Sequence, residues 1–318
     1  MRSTGSRYVV RDAQGGLHDC VARGNLRIRG FKSTNPIAVG DHVEFEPAGL
    51  AEGEERVGAV LEVRDRKNYL VRRSVNLSHQ KHVIAANLDQ AMLVVTVERP
   101  RTSFGFIDRF LVSAESYGIS TVLVFNKTDD LDDQEGEALE QMIAVYRNAG
   151  YTCLRTAALA GVGVKEVEQL LMGKVTLLAG HSGVGKSTLM NAIDPKLDLH
   201  TAAVSRASEK GQHTTTYAEM FELNGRGRGR GPTFVIDTPG IKGLGLVDLD
   251  KAHIADQFPE MFVLRSSCRF SNCLHRNEPG CAVLNALSKG EVAESRYRSY
   301  VDMCDGLEEA DTYRANDR

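Results

Sequence analysis

The chain has 318 residues, a formal net charge of −3 and a hydrophobic fraction of 42%. This length predicts about two or three domains, and the composition excludes a fibrous or wholly disordered protein. The longest apolar runs, 92–97 and 175–179, are far shorter than the roughly 20 residues of a membrane-spanning helix, so no membrane partner is expected. The near-neutral net charge does not favour a nucleic-acid partner. Evidence for such a partner must come from local clusters of basic residues.

The N-terminal region predicts a small β-barrel. Short β-rich stretches at 8–10, 26–28, 42–45 and 57–63 are separated by Gly, Pro and Asn, a pattern that leaves OB-type and SH3-like barrels both open. The first residues lack the apolar core of a secretory signal, so a cytoplasmic location is expected. Thiols should then be reduced, and three isolated cysteines are interpreted as packed thiols: Cys20, Cys153 and Cys304.

A polar hinge at 74–82 separates this region from a segment in which strands and helices alternate. That alternation predicts an α/β domain with a mostly parallel sheet. The expected strands are 92–97, 121–125, 152–155, 175–179, 216–223 and 233–236. Apolar residues at helical spacing predict one helix around Ile107–Ala114 and another at 137–148.

The first chemical motif follows the apolar run 121–125. It comprises Asn126, Lys127, Thr128 and Asp129 and resembles the N-K-x-D element that reads guanine. A carboxylate can accept hydrogen bonds from guanine N1–H and from the exocyclic amine, a donor pair that adenine does not present. After the next strand, Thr156 and Ala157 resemble the last base-contacting element, with Thr in place of the usual Ser.

A phosphate-binding loop comes next, matching G-x-x-x-x-G-K-[ST] between a predicted strand and a predicted helix. The predicted nucleotide-binding residues are Gly180, His181, Ser182, Gly183, Val184, Gly185, Lys186, Ser187 and Thr188. Lys186 should contact the β- and γ-phosphates, and Ser187 should ligate Mg²⁺.

Two further elements complete a GTPase set. His213 and the threonines after it follow a long polar stretch, as a switch I would; Thr215 is favoured as the Mg²⁺ ligand, with Thr214 nearly as good a candidate. Asp237 and Gly240 lie in D-T-P-G, which resembles D-x-x-G, where the Asp supports Mg²⁺ and the Gly amide meets the γ-phosphate. Because the base-reading loop precedes the phosphate loop, the order is that of a circularly permuted GTPase.

Ras-like enzymes place a water-orienting Gln directly after D-x-x-G. Here that position is Ile241, which cannot orient water, so slow intrinsic hydrolysis of GTP to GDP and phosphate is expected. We hypothesise that a partner brings His213 to the attacking water; the alternative is a solvent-facing switch residue.

The C-terminal region contains three thiols and an imidazole within fourteen residues: Cys268, Cys273, His275 and Cys281. Four such ligands complete a tetrahedral shell, which predicts one structural Zn²⁺; the alternative is scattered buried cysteines with a surface histidine. A helix is predicted at 282–303, followed by an acidic tail.

Together these motifs resemble the RsgA (YjeQ) family of bacterial ribosome-dependent GTPases. The resemblance covers nearly the full chain and is carried by the permuted order, G-x-H-T-T-T, D-T-P-G with an aliphatic residue after it, and C-x4-C-x-H-x5-C. It implies an OB-type RNA-binding barrel at 1–75, a permuted GTPase domain at 82–245 and a zinc-binding helical domain with a flexible tail at 246–318. It further implies a late assembly factor that binds the small ribosomal subunit and its rRNA; a monomer is expected.

Some residues depart from the family pattern or leave alternatives open. Gln212 stands where the family usually has Arg, and the Gly/Arg run 225–231 is either a flexible hairpin loop or an RNA-touching arm. Arg72 and Arg73 suit phosphate contacts or a solvated edge. Two rival functions remain: a GTP-regulated RNA-binding checkpoint with incidental hydrolysis, and a P-loop ATPase acting on nucleic acid.

Overall fold

The computed structural model describes residues 1–27, 35–48, 57–73, 81–199, 218–223, 231–238 and 249–306. Within these ranges no helix combines the length and the apolar character that crossing a membrane requires. Several sequence predictions fall on residues outside the ranges and are identified with the functional site below.

The N-terminal residues form a sheet with both antiparallel and parallel strand pairs. Its strands are β1 (Arg2–Ser3), β2 (Arg7–Arg11), β3 (Leu17–Arg27), β4 (Val43–Glu46) and β5 (Gly58–Val63). Their spatial order is β1-β2-β3-β5-β4, with a parallel pairing between β3 and β5. A separate apolar cluster that includes Tyr8, Cys20 and Val60 fills its inner face. This arrangement agrees with the small barrel expected from the sequence.

Two further strands, β6 (Tyr69–Arg73) and β7 (Lys81–Ala86), pair as an antiparallel sheet of their own. The sequence did not indicate this pair, and residues 81 and 82, assigned to a polar hinge, belong to β7. Ala85 of β7 also bridges to Val39. Backbone pairing therefore links the residues on both sides of the expected boundary.

The central region has the alternation that the sequence predicts. The strands are β8 (Gln90–Val95), β9 (Thr121–Phe125), β10 (Thr152–Arg155), β11 (Val175–Ala179), β12 (Glu219–Leu223) and β13 (Thr233–Asp237). The helices are α1 (Phe104–Glu115), α2 (Asp133–Asn148), α3 (Val164–Leu171) and α4 (Lys186–Ile193). The spatial order is β10-β9-β8-β11-β13-β12, with β12 alone antiparallel to its neighbour.

Helices cover both faces of this sheet, which explains why its central strands are continuously apolar. Leu93 and Leu123 point into a cluster with residues of α1 and α2, whereas Met92 and Val122 point into a cluster with residues of α3 and α4. Strand β8 begins and ends two residues earlier than predicted. The backbone amide of Thr96 bonds to the Thr102 hydroxyl instead of continuing the ladder.

The barrel and the central sheet are hydrogen-bonded into one continuous sheet. Strand β1 pairs with β12, with Arg2 opposite Glu219. The guanidinium of Arg11 also forms a bidentate ion pair with the carboxylate of Glu222 in β12, with N···O distances of 3.0 and 3.1 Å. The barrel is therefore attached to the strand that follows the predicted switch I.

The C-terminal region is helical, with α5 (Lys251–Ile254), a 3₁₀ turn (Ala255–Gln257), α6 (Pro259–Arg265), α7 (Ala282–Ser288) and α8 (Glu294–Asp305). The single helix predicted at 282–303 is wrong, because two helices occupy that span. Gly290 has a left-handed backbone with φ +74°. The chain turns there, and the amides of Glu291 and Val292 bond back to the Ala286 carbonyl.

A buried ion-pair network attaches this helical unit to the central domain. Arg296 of α8 donates to Asp108 of α1 at 2.8 Å and to Glu260 of α6 at 2.7 Å. The Tyr146 hydroxyl of α2 also donates to Asp108, at 3.0 Å. Arg296 and Asp108 are both fully buried, and the guanidinium lies 4.5 Å from the centre of the Phe258 ring. Burial raises the pKa of the Asp108 carboxyl, and the Arg296 charge opposes that shift.

Replacing Arg296 should therefore be costly. Arg296→Met keeps much of the apolar stem but leaves two carboxylates without their cation, a change that typically costs about 3–5 kcal/mol. The control is Arg64→Met, because Arg64 pairs with Glu44 at an exposed site. Such exposed pairs contribute about 0–1 kcal/mol. Urea unfolding of both variants measures the difference, and equal midpoints would contradict the assigned role of the network.

Candidate nucleotide site and metal centre

The predicted nucleotide motifs meet at one edge of the central sheet. Strands β8, β9, β10, β11 and β13 run parallel, so their carboxyl ends share an edge. Asn126 directly follows β9, Thr156 follows β10, and Gly180 follows β11. Asp237 is the last residue of β13. Ligands of open α/β sheets bind outside this edge, so the permuted chain delivers its motifs to a common place.

Asn126 connects three of these motifs through one buried side chain. Its Nδ2 donates to the Val184 carbonyl of the phosphate loop at 2.9 Å. Its Oδ1 accepts from the Thr156 hydroxyl at 2.9 Å and from the Ala158 amide at 3.3 Å. Because the amide oxygen accepts two hydrogen bonds and one of the two N–H groups donates a third, the side chain fixes the spacing of the base-reading and phosphate loops.

The glycines of the phosphate loop are required by close approach. Gly185 has φ +97°, and a Cβ there would lie 2.3 Å from Asn126 Nδ2. Gly180 has φ +141°, and its Cβ would lie 2.3 Å from the Val94 carbonyl oxygen. At the loop tip Ser182 and Gly183 are exposed, whereas Ser187 and Thr188 are half-buried in the first turn of α4. In loops of this kind the backbone encloses the space in which a phosphate binds.

Lys186 and Asp237 face one another across that space. The Lys186 ammonium donates to the carbonyls of Gly180 and His181, each at 2.9 Å. Burial lowers the pKa of Lys186, and the nearby Asp237 charge opposes the shift. Burial raises the pKa of Asp237, and Lys186 opposes that shift in turn.

These groups fit a Mg²⁺ ion bound with a triphosphate. The Oδ1 atom of Asp237 is buried and has no hydrogen-bond partner among the described residues. Such an orphaned carboxylate oxygen needs a cation or an ordered water. Mg²⁺ takes carboxylate oxygens together with waters and phosphate oxygens. Asp237 and Ser187 are the described residues that would hold it.

The base-reading side of the site is built on the loops after β9 and β10. Thr156 and Ala157 are buried, and the Thr128 amide and hydroxyl both donate to the Thr156 carbonyl at 3.2 Å. Asp129 is exposed, which leaves its carboxylate accessible to a base. Lys127 adopts φ +61°, and its ammonium donates to the Arg99 carbonyl at 2.6 Å.

Several predicted functional residues lie outside the described residues. These are His213, Thr214, Thr215 and Gly240, together with Gln212, Ile241, most of the Gly/Arg run 225–231 and the tail from 307. Their roles stay predictions, as does a phosphate-contacting role for Arg72 and Arg73.

The sequence analysis did not identify three residues that shape this site. Ala158 holds Asn126, Phe106 stacks on His181 with ring centroids 3.8 Å apart, and Arg99 contacts the base-reading loop. The Arg99-Pro100 dipeptide between a strand and a helix, followed later by the acidic run 129–135, was the available signal for Arg99.

The four predicted metal ligands converge, as the sequence indicates. The ligand atoms of Cys268, Cys273, His275 and Cys281 all lie within 4.8 Å of one another. His275 Nδ1 is 3.4 Å from the Cys281 sulfur and 3.6 Å from that of Cys268. Sulfurs bound to one tetrahedral zinc at about 2.3 Å are spaced by about 3.8 Å, so the cluster is compatible with one zinc ion.

The clustered sulfurs, which are buried or half-buried, would need a bound cation to be held as thiolates. Burial is the main reason that the pKa of Cys273 is raised to about 12, and the neighbouring sulfurs add to it. Burial lowers the pKa of His275, which keeps the imidazole neutral and able to coordinate. The hydroxyls of Tyr297 and Tyr300 bond to the carbonyls of His275 and Leu274, which ties the ligand loop to α8.

We expect one zinc per chain, retained through purification. Cys273→Ser should reduce zinc retention in the presence of a chelator, because three ligands with an open position hold the ion less tightly. Cys153→Ser is the matched control, since Cys153 is buried in β10 and lies outside the cluster. Metal analysis by mass spectrometry measures the stoichiometry. Equal zinc content in both variants would contradict the assignment.

Comparison with known proteins gives a consistent result. A family model described as RsgA GTPase matches residues 63–247, and one described as RsgA N-terminal domain matches residues 1–54. Relatives named small ribosomal subunit biogenesis GTPase RsgA, from Flavobacterium psychrophilum and Bacteroides fragilis, are each 48% identical. The alignments cover 99% of this chain and 94% and 98% of those proteins.

Solved structures agree. YjeQ from Thermotoga maritima superposes with a TM-score of 0.71 at 35% identity, covering 95% of this chain and 94% of that one. YloQ, described as a circularly permuted GTPase, superposes with a TM-score of 0.67 at 29% identity, covering 96% and 92%. The chain therefore belongs to the RsgA GTPase family and has its circularly permuted fold.

Proposed function

We propose that this protein hydrolyses GTP and acts as a late assembly factor of the small ribosomal subunit. The observation that carries the proposal is the Asn126 side chain, which hydrogen-bonds a guanine-reading loop to a phosphate loop. A single guanine nucleotide can contact both loops. The printed names of the relatives supply the assembly role, since they are called small ribosomal subunit biogenesis GTPases.

The proposed residue roles follow from position at the sheet edge. Asp129 reads the guanine donors, and Asn126 and Lys127 hold and flank the base. The buried Thr156 and Ala157 close the far side of the base pocket. The loop 180–188 surrounds the phosphates, with Lys186 countering their charge.

Hydrolysis requires an oriented water and stabilised transition-state charge. Lys186, now bonded to two loop carbonyls, would exchange these partners for phosphate oxygens. Mg²⁺ bound at Asp237 and Ser187 would neutralise charge that develops on the phosphates. Ile241 offers no group to orient water, so we propose that His213 does so when a partner orders the switch, with Thr215 and Gly240 meeting the γ-phosphate and its metal.

We propose that residues 1–75 bind rRNA and that residues 82–245 bind the nucleotide. In the same proposal, residues 246–318 form a helical unit stabilised by zinc. Both flanking units contact the nucleotide domain. The barrel pairs with β12, which follows the predicted switch I. The helical unit packs on α1 through Arg296 and through Val112, which belongs to its apolar cluster. Hydrolysis could thereby change how a monomer holds the subunit, and so couple turnover to release.

Base specificity provides the first test. GDP should bind at least tenfold more tightly than ADP, because ADP lacks the donor pair that Asp129 accepts from. Asp129→Asn should weaken GDP binding by roughly tenfold to a hundredfold, since a carboxylate hydrogen-bonded to donors contributes about 1.5–3 kcal/mol. The Asp129→Asn variant should bind xanthosine diphosphate more tightly than the wild-type chain does. The new amide can donate to the oxygen that xanthine carries in place of the guanine amine. Asp133→Asn, at an exposed position in the first turn of α2, is the control, and competition with a fluorescent GDP measures the affinities of the wild-type chain and of both variants. Equal binding of ADP and GDP would favour the ATPase alternative.

Partner dependence provides the second test. GTP hydrolysis should be slow alone, unchanged with large subunits and stimulated by small subunits. The stimulation should fall sharply in His213→Ala, because partner-completed GTPase sites gain up to roughly 10⁵-fold from positioning and charge stabilisation.

A small-subunit complex that forms with GTP but shows no stimulation would favour the rival checkpoint module, in which hydrolysis is incidental. An unchanged stimulated rate in His213→Ala would remove His213 from the mechanism while leaving the assembly role intact.

A further inference from the structure

Arg99 lies in the connection between β8 and α1 and extends toward the base-reading loop. Its Nε donates to the Asp130 carboxylate at 2.9 Å. Its two terminal nitrogens donate to the two carboxylate oxygens of Glu135, at 2.8 and 2.6 Å. The guanidinium therefore forms a bidentate pair with the Glu135 carboxylate and a single hydrogen bond with the Asp130 carboxylate. In a bidentate pair the planar guanidinium fixes the orientation of its partner.

The backbone of Arg99 contacts the same loop from the other side. Its carbonyl accepts the Lys127 ammonium at 2.6 Å. Arg99 and Lys127 both adopt left-handed backbone conformations, with φ +55° and +61°. Asp129 thus lies in the sequence between Lys127 and Asp130, and Arg99 contacts both of these residues.

The connection that carries Arg99 is itself braced. Thr96 and Thr102 bond across it through two hydrogen bonds, from the Thr102 amide to the Thr96 carbonyl and from the Thr96 amide to the Thr102 hydroxyl. Pro100 lies beside the phosphate loop, within 3.7 Å of the place where a Cβ on Gly183 would stand. Arg99 therefore projects from a support that is fixed relative to the triphosphate side of the site.

Fold stability does not account for this arrangement. The side chains of Arg99 and Asp130 are 48% and 63% exposed, and that of Glu135 is 19% exposed. Because the guanidinium itself is half exposed, both ion pairs add little to the free energy of folding. The remaining effect of the two ion pairs is to order the end of the base-reading loop. Glu135 also accepts from the Asp132 amide in the capping box of α2, so Arg99 anchors the loop to the start of that helix.

We propose that Arg99 is a positioning residue for guanine recognition, holding the loop 127–130 so that the Asp129 carboxylate faces the base. This inference rests on the proposed function, because it assumes that a guanine nucleotide occupies the site. Loss of Arg99 should mainly weaken the bond between Asp129 and the exocyclic amine of guanine. An Asp129 carboxylate that is free to rotate can accept one hydrogen bond, from N1–H, more easily than two at once. Loss of Arg99 should therefore narrow the difference between guanine and hypoxanthine bases.

The test compares affinities of the full-length chain for GDP and for IDP, which lacks the exocyclic amine. Arg99→Gln keeps a polar stem but removes the charged fork. GDP affinity should fall about fivefold, as expected for the loss of an exposed ion pair, with less than a twofold fall for IDP. Arg99→Lys keeps the charge without the fork and should give an intermediate GDP-to-IDP ratio. Arg101→Gln is the matched control from the same connection, where Arg101 is 78% exposed and 3.8 Å from Glu98.

The outcomes separate the inference from the proposed function. If the wild-type chain prefers GDP to IDP and only the Arg99 variants lose that preference, with unchanged melting temperatures, the inference stands. If the wild-type preference is present but Arg99→Gln behaves like Arg101→Gln, or weakens both nucleotides equally, the inference is overturned. If the wild-type chain binds GDP no better than ADP, the proposed function itself fails.

Discussion

The hydrogen bond from Asn126 to the Val184 carbonyl is the contact on which the nucleotide site depends. It joins two loops that are 58 residues apart in the chain. The bond needs a glycine at 185, because any side chain there would occupy the position of the Asn126 amide. It also needs Thr156 and Ala158 to satisfy the amide oxygen. Permuting the chain has left this pocket intact because a parallel sheet gathers strand ends whatever their order in sequence.

The permutation changes what the nucleotide domain is attached to. The barrel is joined through β1 to β12, the last strand before β13 and its Asp237. The helical unit is joined to α1 through the buried Arg296 and Asp108. An ion pair taken wholly out of water tolerates little misalignment, since either charge alone is costly to bury. Movement of α1 would therefore carry with it the helical unit that contains the metal-ligand cluster.

Local patterns determined most of what could be predicted. Strands β9 and β11 have the predicted bounds because each is a short apolar run that ends at a loop motif, and β10, with its buried Cys153, has the predicted bounds as well. The metal ligands could be predicted because three cysteines and one histidine close together in sequence are typical of a zinc site. Glycine patterning likewise identified the phosphate loop. These features depend on neighbours in sequence, so they can be read without knowing the fold.

One miss had a local signal, and the others depend on contacts between segments that are separated in sequence. The helix predicted at 282–303 continues past Gly290, although a glycine is a local stop signal and the Ala286 carbonyl accepts the returning amides. The pairing of β6 with β7 and the position of Arg99 were missed because each depends on residues that are not adjacent in sequence. The importance of Arg99 comes from Asp130 and Glu135, more than thirty residues later in the chain.

A crystal structure with Mg²⁺ and a non-hydrolysable GTP analogue would test the central claim most directly. We expect one nucleotide, with its base at the Asp129 carboxylate, its phosphates in the loop 180–188, and the bond from Asn126 to Val184 retained. A base bound away from Asp129, or loops too far apart for one nucleotide to contact both, would contradict the assigned site.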